Sequence, residues 1–174
     1  MEVGPVIMVD GDNSVSFTQI CSHLKSSVEL VEGSSSTGRW AVTGYRVGGG
    51  SIKRRVLRAG FRGLVNTLFP GLSGLDSQSG LKVYGCSNFA ISCLSGVGGW
   101  GGDVEVLHNA KVKLEGKVGT VEVEWRDVEG GTLMGRGWGK RAKDMAGEVT
   151  RLRIKTLLGG RGGREEEVGT SRES

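Results

Sequence analysis

Four consecutive apolar residues, Val6-Ile-Met-Val9, run directly into Asp10-Gly-Asp-Asn13. An unbroken apolar run of strand length is the pattern of a strand covered on both faces, as in the middle of a parallel sheet. Helices must lie over such a strand on both sides, so this stretch predicts an α/β domain. In open α/β sheets, ligands sit outside the carboxyl ends of the strands. Asp10 and Asp12 then fall where a hard cation is held, because Mg²⁺ is coordinated by carboxylate and water oxygens. Helix capping is the competing reading for Asp12, Asn13 and Ser14, all good N-cap residues. It accounts less well for Asp10, at the strand end itself.

Beyond Asn13 the chain is divided by glycine, 32 of 174 residues in all, which predicts many turns and a modest core. Ser16-x-x-Gln19 has the form of a capping box. Phe17, Ile20, Cys21, Leu24, Val28 and Val31 recur at helical spacing, so a helix is expected near 15–31. Trp40 to Val47 reads as a strand, and Ile52 to Leu68 as a helix with Leu57, Phe61, Leu64 and Leu68 on one face. Leu81 to Tyr84 and Asp103 to Leu107 read as strands, while Phe89 to Leu94 is an apolar run of open type. Ala110 to Leu114 and Thr120 to Trp125 flank Gly116-Lys-Val-Gly119. A hairpin there sets Leu114 opposite Val121 and Val112 opposite Val123, with Lys113 facing Glu122 and Lys111 facing Glu124. A last helix is expected from Lys140 to Leu158, with Ala142, Met145, Val149 and Leu152 as its stripe. From Gly159 onward no hydrophobic face remains, and a disordered tail is expected.

Charge favours an anionic partner without naming it. The net charge is +4, and from Lys140 to Arg164 there are eight Lys/Arg against two acids, Asp144 and Glu148. Arg151, Arg153 and Lys155 form the centre of that cluster. Arg55, Arg58 and Arg62 share a face of the 52–68 helix and could grip phosphates, although a solvated surface stripe explains them as simply. Cys21, Cys86 and Cys93 are odd in number and unevenly spaced, and no Cys/His pair has zinc-ligand spacing. They suit a reducing compartment, and no signal-peptide pattern opens the chain. The expected location is therefore intracellular, cytoplasmic or nuclear, with no membrane span.

Two stretches carry a family resemblance. Val6-Ile-Met-Val-Asp-Gly-Asp-Asn13 resembles the first motif of NYN domains, in the PIN-like nuclease group. Tyr84-Gly-Cys-Ser-Asn-Phe-Ala90 resembles that family's later Ser-Gly-Asp-Ser-Asp-Phe motif. The resemblance implies a PIN-like three-layer α/β core over 1–107, with strands 5–10, 81–85 and 103–107 side by side and parallel. The hairpin and basic helix at 108–158 would be an extension, and 159–174 the disordered tail. It also implies an RNA-binding domain that is a Mg²⁺- or Mn²⁺-dependent ribonuclease or its inactive derivative. Asp10 would be the metal ligand, Asp12 a second catalytic acid and Asn13 a supporting contact. RNA would be held by Arg55, Arg58, Arg62, Arg151, Arg153 and Lys155. Cys86, Asn88 and Gly60 stand where the family carries acids, which favours the inactive form.

Two other resemblances stay open. Asp10-Gly-Asp12 is similar to the start of haloacid-dehalogenase phosphotransferases. A small basic protein that binds RNA without cleaving it, of the kind seen among plant-virus silencing suppressors, needs only the two basic segments.

Overall fold

The computed structural model describes residues 4–10, 15–32, 38–47, 52–99, 101–124 and 138–162. Along the chain these form β1 (Val6–Val9), α1 (Phe17–Glu32), β2 (Trp40–Val47), α2 (Ile52–Leu68), β3 (Leu81–Tyr84), α3 (Ser87–Leu94), α4 (Gly102–His108), β4 (Lys117–Glu124) and α5 (Trp138–Gly162). A 3-10 turn at Pro70–Leu72 and a π-helical turn at Asn109–Lys113 complete them. The result is an α/β fold built on a small mixed sheet, in the order β1-β3-β2-β4.

Local patterning explains most of the elements. Ser16 and Gln19 form the expected capping box: the Gln19 N–H donates to Ser16 Oγ at 3.3 Å, and the Ser16 N–H donates to Gln19 Oε1 at 3.0 Å. One sheet face presents Ile7, Trp40, Val42, Leu81, Val83, Val121 and Val123 to Ile20, Leu24, Val28 and Val31 of α1. The other presents Val6, Met8, Ala41 and Tyr84 to Phe89, Ala90 and Cys93 of α3 and to Val106 and Ala110. Beside that cluster, Val65 and Phe69 meet Val104, Leu107 and, from α5, Val149.

Topology departs from the parallel PIN-like expectation. β1 pairs antiparallel with β3, Val6 with Tyr84 through Val9 with Leu81, and lies at the sheet edge. The apolar run at 6–9 therefore marks neither a central nor a fully covered strand: Val6 and Met8 pack on one core cluster and Ile7 on another, all half-buried, and Val9 is exposed. β3 is also antiparallel to β2.

The expected strand at 103–107 is the helix α4. Val104 and Leu107 enter one core cluster, and Val106 and Ala110 enter the other, so the run buries two sides at helical spacing. The expected hairpin is absent too. Its first arm lies in the π-helical turn, and β4 runs parallel to β2 along its whole length, Trp40 with Lys117 through Val47 with Glu124. Val121 and Val123 keep a buried direction, but the partner strand is β2, and Lys111 and Lys113 do not face Glu122 and Glu124. α5 continues past Leu158 to Gly162, and the rest of the expected tail lies outside the described residues.

A buried carboxylate clamps these pieces together. Asp76, 4% exposed at its side chain, accepts from Arg46 Nε at 2.8 Å and Arg46 Nη2 at 2.9 Å, with Arg62 Nη2 at 3.6 Å. Burial alone pushes this carboxyl up. The hydrogen bond and charge of Arg46, with the charge of Arg62, more than reverse that and hold it below 3.8. Two histidines move the other way. Burial pushes His23 down, with the Val42 backbone opposing, and among the described residues neither ring nitrogen has a hydrogen-bond partner of ordinary geometry. Burial and the charges of Lys113 and Arg153 push His108 down, with Glu105 opposing.

Asp76→Asn strands Arg46 and is expected to cost about 3–5 kcal/mol in denaturant unfolding. An unfolding free energy unchanged by that substitution would show that the clamp holds nothing. The signs of the shifts also set an acid profile. Groups depressed on folding stabilise fully above their unfolded values and lose that contribution as pH falls. Stability should therefore decline first below 6.5, from His23 and His108, and again below 3.8, from Asp76. In the double variant His23→Gln, His108→Gln the first step should flatten, whatever its absolute stability. A first step of undiminished slope would assign it to other groups.

Candidate functional site: a groove between a glycine loop and the last helix

Asp10 and the later motif at Cys86 and Asn88 do not converge. The Asp10 N–H donates to the Gly80 carbonyl at 2.8 Å, and its side chain lies against the Gly80 α-carbon. That places Asp10 at the Leu81 end of β3, whereas Cys86 and Asn88 follow the Tyr84 end. Antiparallel pairing thus puts Asp10 and the later motif at opposite ends of the sheet. Asp12 and Asn13 lie outside the described residues. Among the described residues, no three His, Cys, Asp or Glu side chains gather as a metal site. Among the described residues, the donor set does not fit a protein-held Mg²⁺ or Mn²⁺. Nor do the buried nucleophile types offer chemistry: burial, with Cys86 nearby, pushes the Cys93 thiol up to about 11, and burial raises Tyr84 as well.

The basic residues divide. Arg55 is exposed on α2 and Arg58 half-buried. Arg62 is committed inward: Nη1 donates to the Tyr45 hydroxyl at 2.7 Å, and the guanidinium stacks 4.6 Å from that ring. On α5, the Arg153 guanidinium lies 5.6 Å from the Phe69 ring. Arg151 and Lys155 instead line an open groove of about 370 Å³ with Gly98, Gly99, Gly101, Glu105, Glu148 and Leu152.

The groove is built from a loop, a short helix and a long one. Gly96 and Gly99 take left-handed backbone, with φ 70° and 72°, where a side chain is strained. The loop so bent brings the Gly101 N–H to Glu148 Oε2 at 2.9 Å. A Cβ on Gly99 would come within 2.7 Å of the same oxygen. Across the groove Lys155 Nζ stands 3.7 Å from Glu105 Oε1, and the Glu105 side chain is only 12% exposed. Below the loop, Lys82 fixes the start of α4: its buried ammonium donates to the Ser79 carbonyl at 2.6 Å and to Asp103 Oδ1 at 2.7 Å. Two cations, two carboxylates and the backbone of three glycines therefore meet on one concavity.

Sequence reasoning found Arg151 and Lys155 as part of a basic cluster. It placed Glu105 on a strand, raising it with Asp76 and Asp103 only as a substitute metal ligand, and it counted Glu148 only as an acid in a basic helix. The available signal was Gly98-Gly-x-Gly-Gly102 directly before a segment of helical spacing.

Comparison with known proteins gives a fold and no family. No protein-family profile matches the chain, and no curated protein matches it by sequence. Among solved structures the fold resembles that of a glycosyltransferase. Similar structures include those of glucosyl-3-phosphoglycerate synthase from Mycobacterium tuberculosis. One holds UDP, with TM-score 0.56 and 18% identity, covering 91% of this chain and 51% of the synthase. Another holds Mn²⁺, UDP-glucose and phosphoglyceric acid, with TM-score 0.58 at the same identity and coverage. The likeness is one of fold, and this chain spans about half the length of the synthase.

The likeness corrects the NYN/PIN-like recognition, together with the antiparallel β1–β3 pair and the helix at 102–108. RNA as partner and the ribonuclease, inactive-nuclease, silencing-suppressor and haloacid-dehalogenase readings are corrected with it, because the similar structures bind nucleotide sugar and phosphoglycerate. The Mg²⁺ or Mn²⁺ expectation keeps a parallel only in the Mn²⁺ of the synthase. Among the described residues, no helix is long and apolar enough to cross a membrane.

The loop geometry has a matched test. Gly99→Ala should cost about 1–3 kcal/mol, the usual range for a side chain forced into left-handed backbone. Gly98→Ala, whose added Cβ meets nothing within 4 Å, should be nearly neutral. Equal effects in denaturant unfolding would contradict a left-handed turn at Gly99.

Proposed function

We propose that the groove binds a phosphorylated, hydroxyl-bearing small molecule, with a nucleoside-diphosphate sugar as the favoured class. The observation that carries this is the meeting of Arg151 and Lys155 with Glu105 and Glu148 beside Gly98, Gly99 and Gly101. Arg151 offers a planar fork to phosphate oxygens, and Lys155 offers a point charge. Carboxylates only accept hydrogen bonds, so Glu105 and Glu148 select for the hydroxyls of a sugar or sugar acid. At Gly98, where an added Cβ would meet nothing within 4 Å, the backbone leaves room for close approach. The volume lies within the ~300–1,000 Å³ common for small-molecule sites.

A simple polyanion matches the groove less well, because both carboxylates oppose it. The fold likeness to a synthase that holds UDP-glucose and phosphoglyceric acid supports the same class of ligand. Glycosyl transfer is the reaction this reading favours. The described residues supply binding and orientation, and no step is assigned to a metal.

Titration calorimetry with UDP-glucose, UDP and phosphoglyceric acid, each with and without Mn²⁺, tests the reading. Binding is expected for at least one, and Arg151→Gln with Lys155→Gln should weaken it by about tenfold or more. Glu105→Gln should weaken the sugar-bearing ligand more than UDP. No binding by any of the three ligands, or binding indifferent to Arg151 and Lys155, would sink the proposal.

A further inference from the structure

α5 is apolar on two opposite sides. Met145, Val149 and Leu152 turn inward, and Val149 is fully buried. Ile154, Leu157 and Leu158, spaced i, i+3 and i+4, form an outward stripe and are 52%, 55% and 66% exposed. Arg151 and Lys155, also exposed, flank that stripe on one side. No acid occurs from Val149 to Gly162. α2 repeats the arrangement. Ile52 and Val56, at i and i+4, are 78% and 65% exposed, with exposed Lys53 and Arg55 beside them and no acid from Ile52 to Leu68. The two helices pack against each other.

A surface helix whose inner face is already covered needs no second apolar stripe, and an ordinary outer face is polar. Here the outer stripes are aliphatic and bordered by cations. We propose that the α2–α5 layer docks on an anionic lipid bilayer. The aliphatic side chains enter the boundary between headgroups and acyl chains, and the neighbouring Lys and Arg meet lipid phosphates and carboxylates. The helices lie on the bilayer and do not span it. Charge decides between this occupant and a second copy of the chain. A symmetric dimer would set each basic face against itself, where like charges repel. An anionic bilayer complements both the stripe and its border. The aliphatic stripes themselves lie outside the groove, which Ile52, Val56, Ile154, Leu157 and Leu158 do not line, while Arg151 and Lys155 border both surfaces.

Co-sedimentation of the full chain with vesicles tests it. Phosphatidylcholine vesicles are compared with phosphatidylcholine–phosphatidylserine vesicles at low and high salt. Binding is expected to the phosphatidylserine vesicles alone, weakened by salt. Ile154→Ser, Leu157→Ser and Leu158→Ser together should lower partitioning by about tenfold or more at low salt, with helix content by circular dichroism unchanged. Ile52→Ser with Val56→Ser is the second variant, should the first lose helix content, and it should lower partitioning in the same direction. Failure to bind anionic vesicles, equal binding to neutral ones, or full binding by a folded serine variant overturns the proposal. So does a vesicle-free dimer, seen by analytical ultracentrifugation, that the serine substitutions dissolve.

Discussion

Asp76 is a carboxylate almost out of contact with water, and two separate elements converge on it. Arg46 reaches it from β2 and Arg62 from α2, while Thr43 Oγ1, also on β2, donates to the Asp76 backbone carbonyl. The same carbonyl accepts the Ser79 N–H at 3.1 Å, which shapes the turn into β3. Ser79 in turn offers its carbonyl to Lys82, and Lys82 holds Asp103 at the start of α4. A continuous set of polar contacts thus runs from α2, through the turn before β3, to the first turn of α4, which follows the glycine loop of the groove. Taking such charges out of water is costly, and pairing offsets that cost only when the geometry is good. The clamp is therefore better understood as fixing where α2 and the turn sit than as a large net source of stability.

Local chemistry was legible in the sequence wherever it was self-contained. The capping box at Ser16 and Gln19 joins partners three residues apart, so nothing distant can overrule it. The helix at Ile52–Leu68 and the strands at Trp40–Val47 and Leu81–Tyr84 have patterns that close on themselves. Strand partners and directions are different, because they depend on residues far apart in the chain. Val121 and Val123 carry the same alternation whether they pair back on 110–114 or forward along β2. The longer, parallel pairing won, with Gly116 turning the chain close beneath Phe89 and Ala110. Asp103 to Leu107 shows the other limit: a short apolar run surrounded by core can satisfy either period.

The Asp10 motif shows how a local resemblance can mislead about a site. A strand that ends on acids has the same sequence whichever way its neighbour runs. In a parallel pair, the loops after both strands share one end of the sheet, and two acidic motifs can meet. In an antiparallel pair they lie at opposite ends. The β1–β3 pairing is antiparallel, so Asp10 meets the turn before β3 and never the residues after it. No pattern within Val6 to Asn13 encodes that direction.

Helical geometry makes a similar point about the basic cluster of α5. Arg151 and Lys155 are four residues apart and share a side, which brings both to the groove. Arg153, between them in sequence, projects about 200° away from Arg151 and packs over Phe69. Three cations that look like one patch in the sequence therefore serve two surfaces. Glu148 adds to the division, since its position three residues before Arg151 places it on the groove side, where it accepts from Gly101. The groove is consequently close to charge-balanced even though the helix that forms its wall is strongly basic. Net charge told of an anionic partner in general. The division of charge around the helix instead leaves the groove with both cations and hydrogen-bond acceptors, the feature on which the proposed ligand class rests.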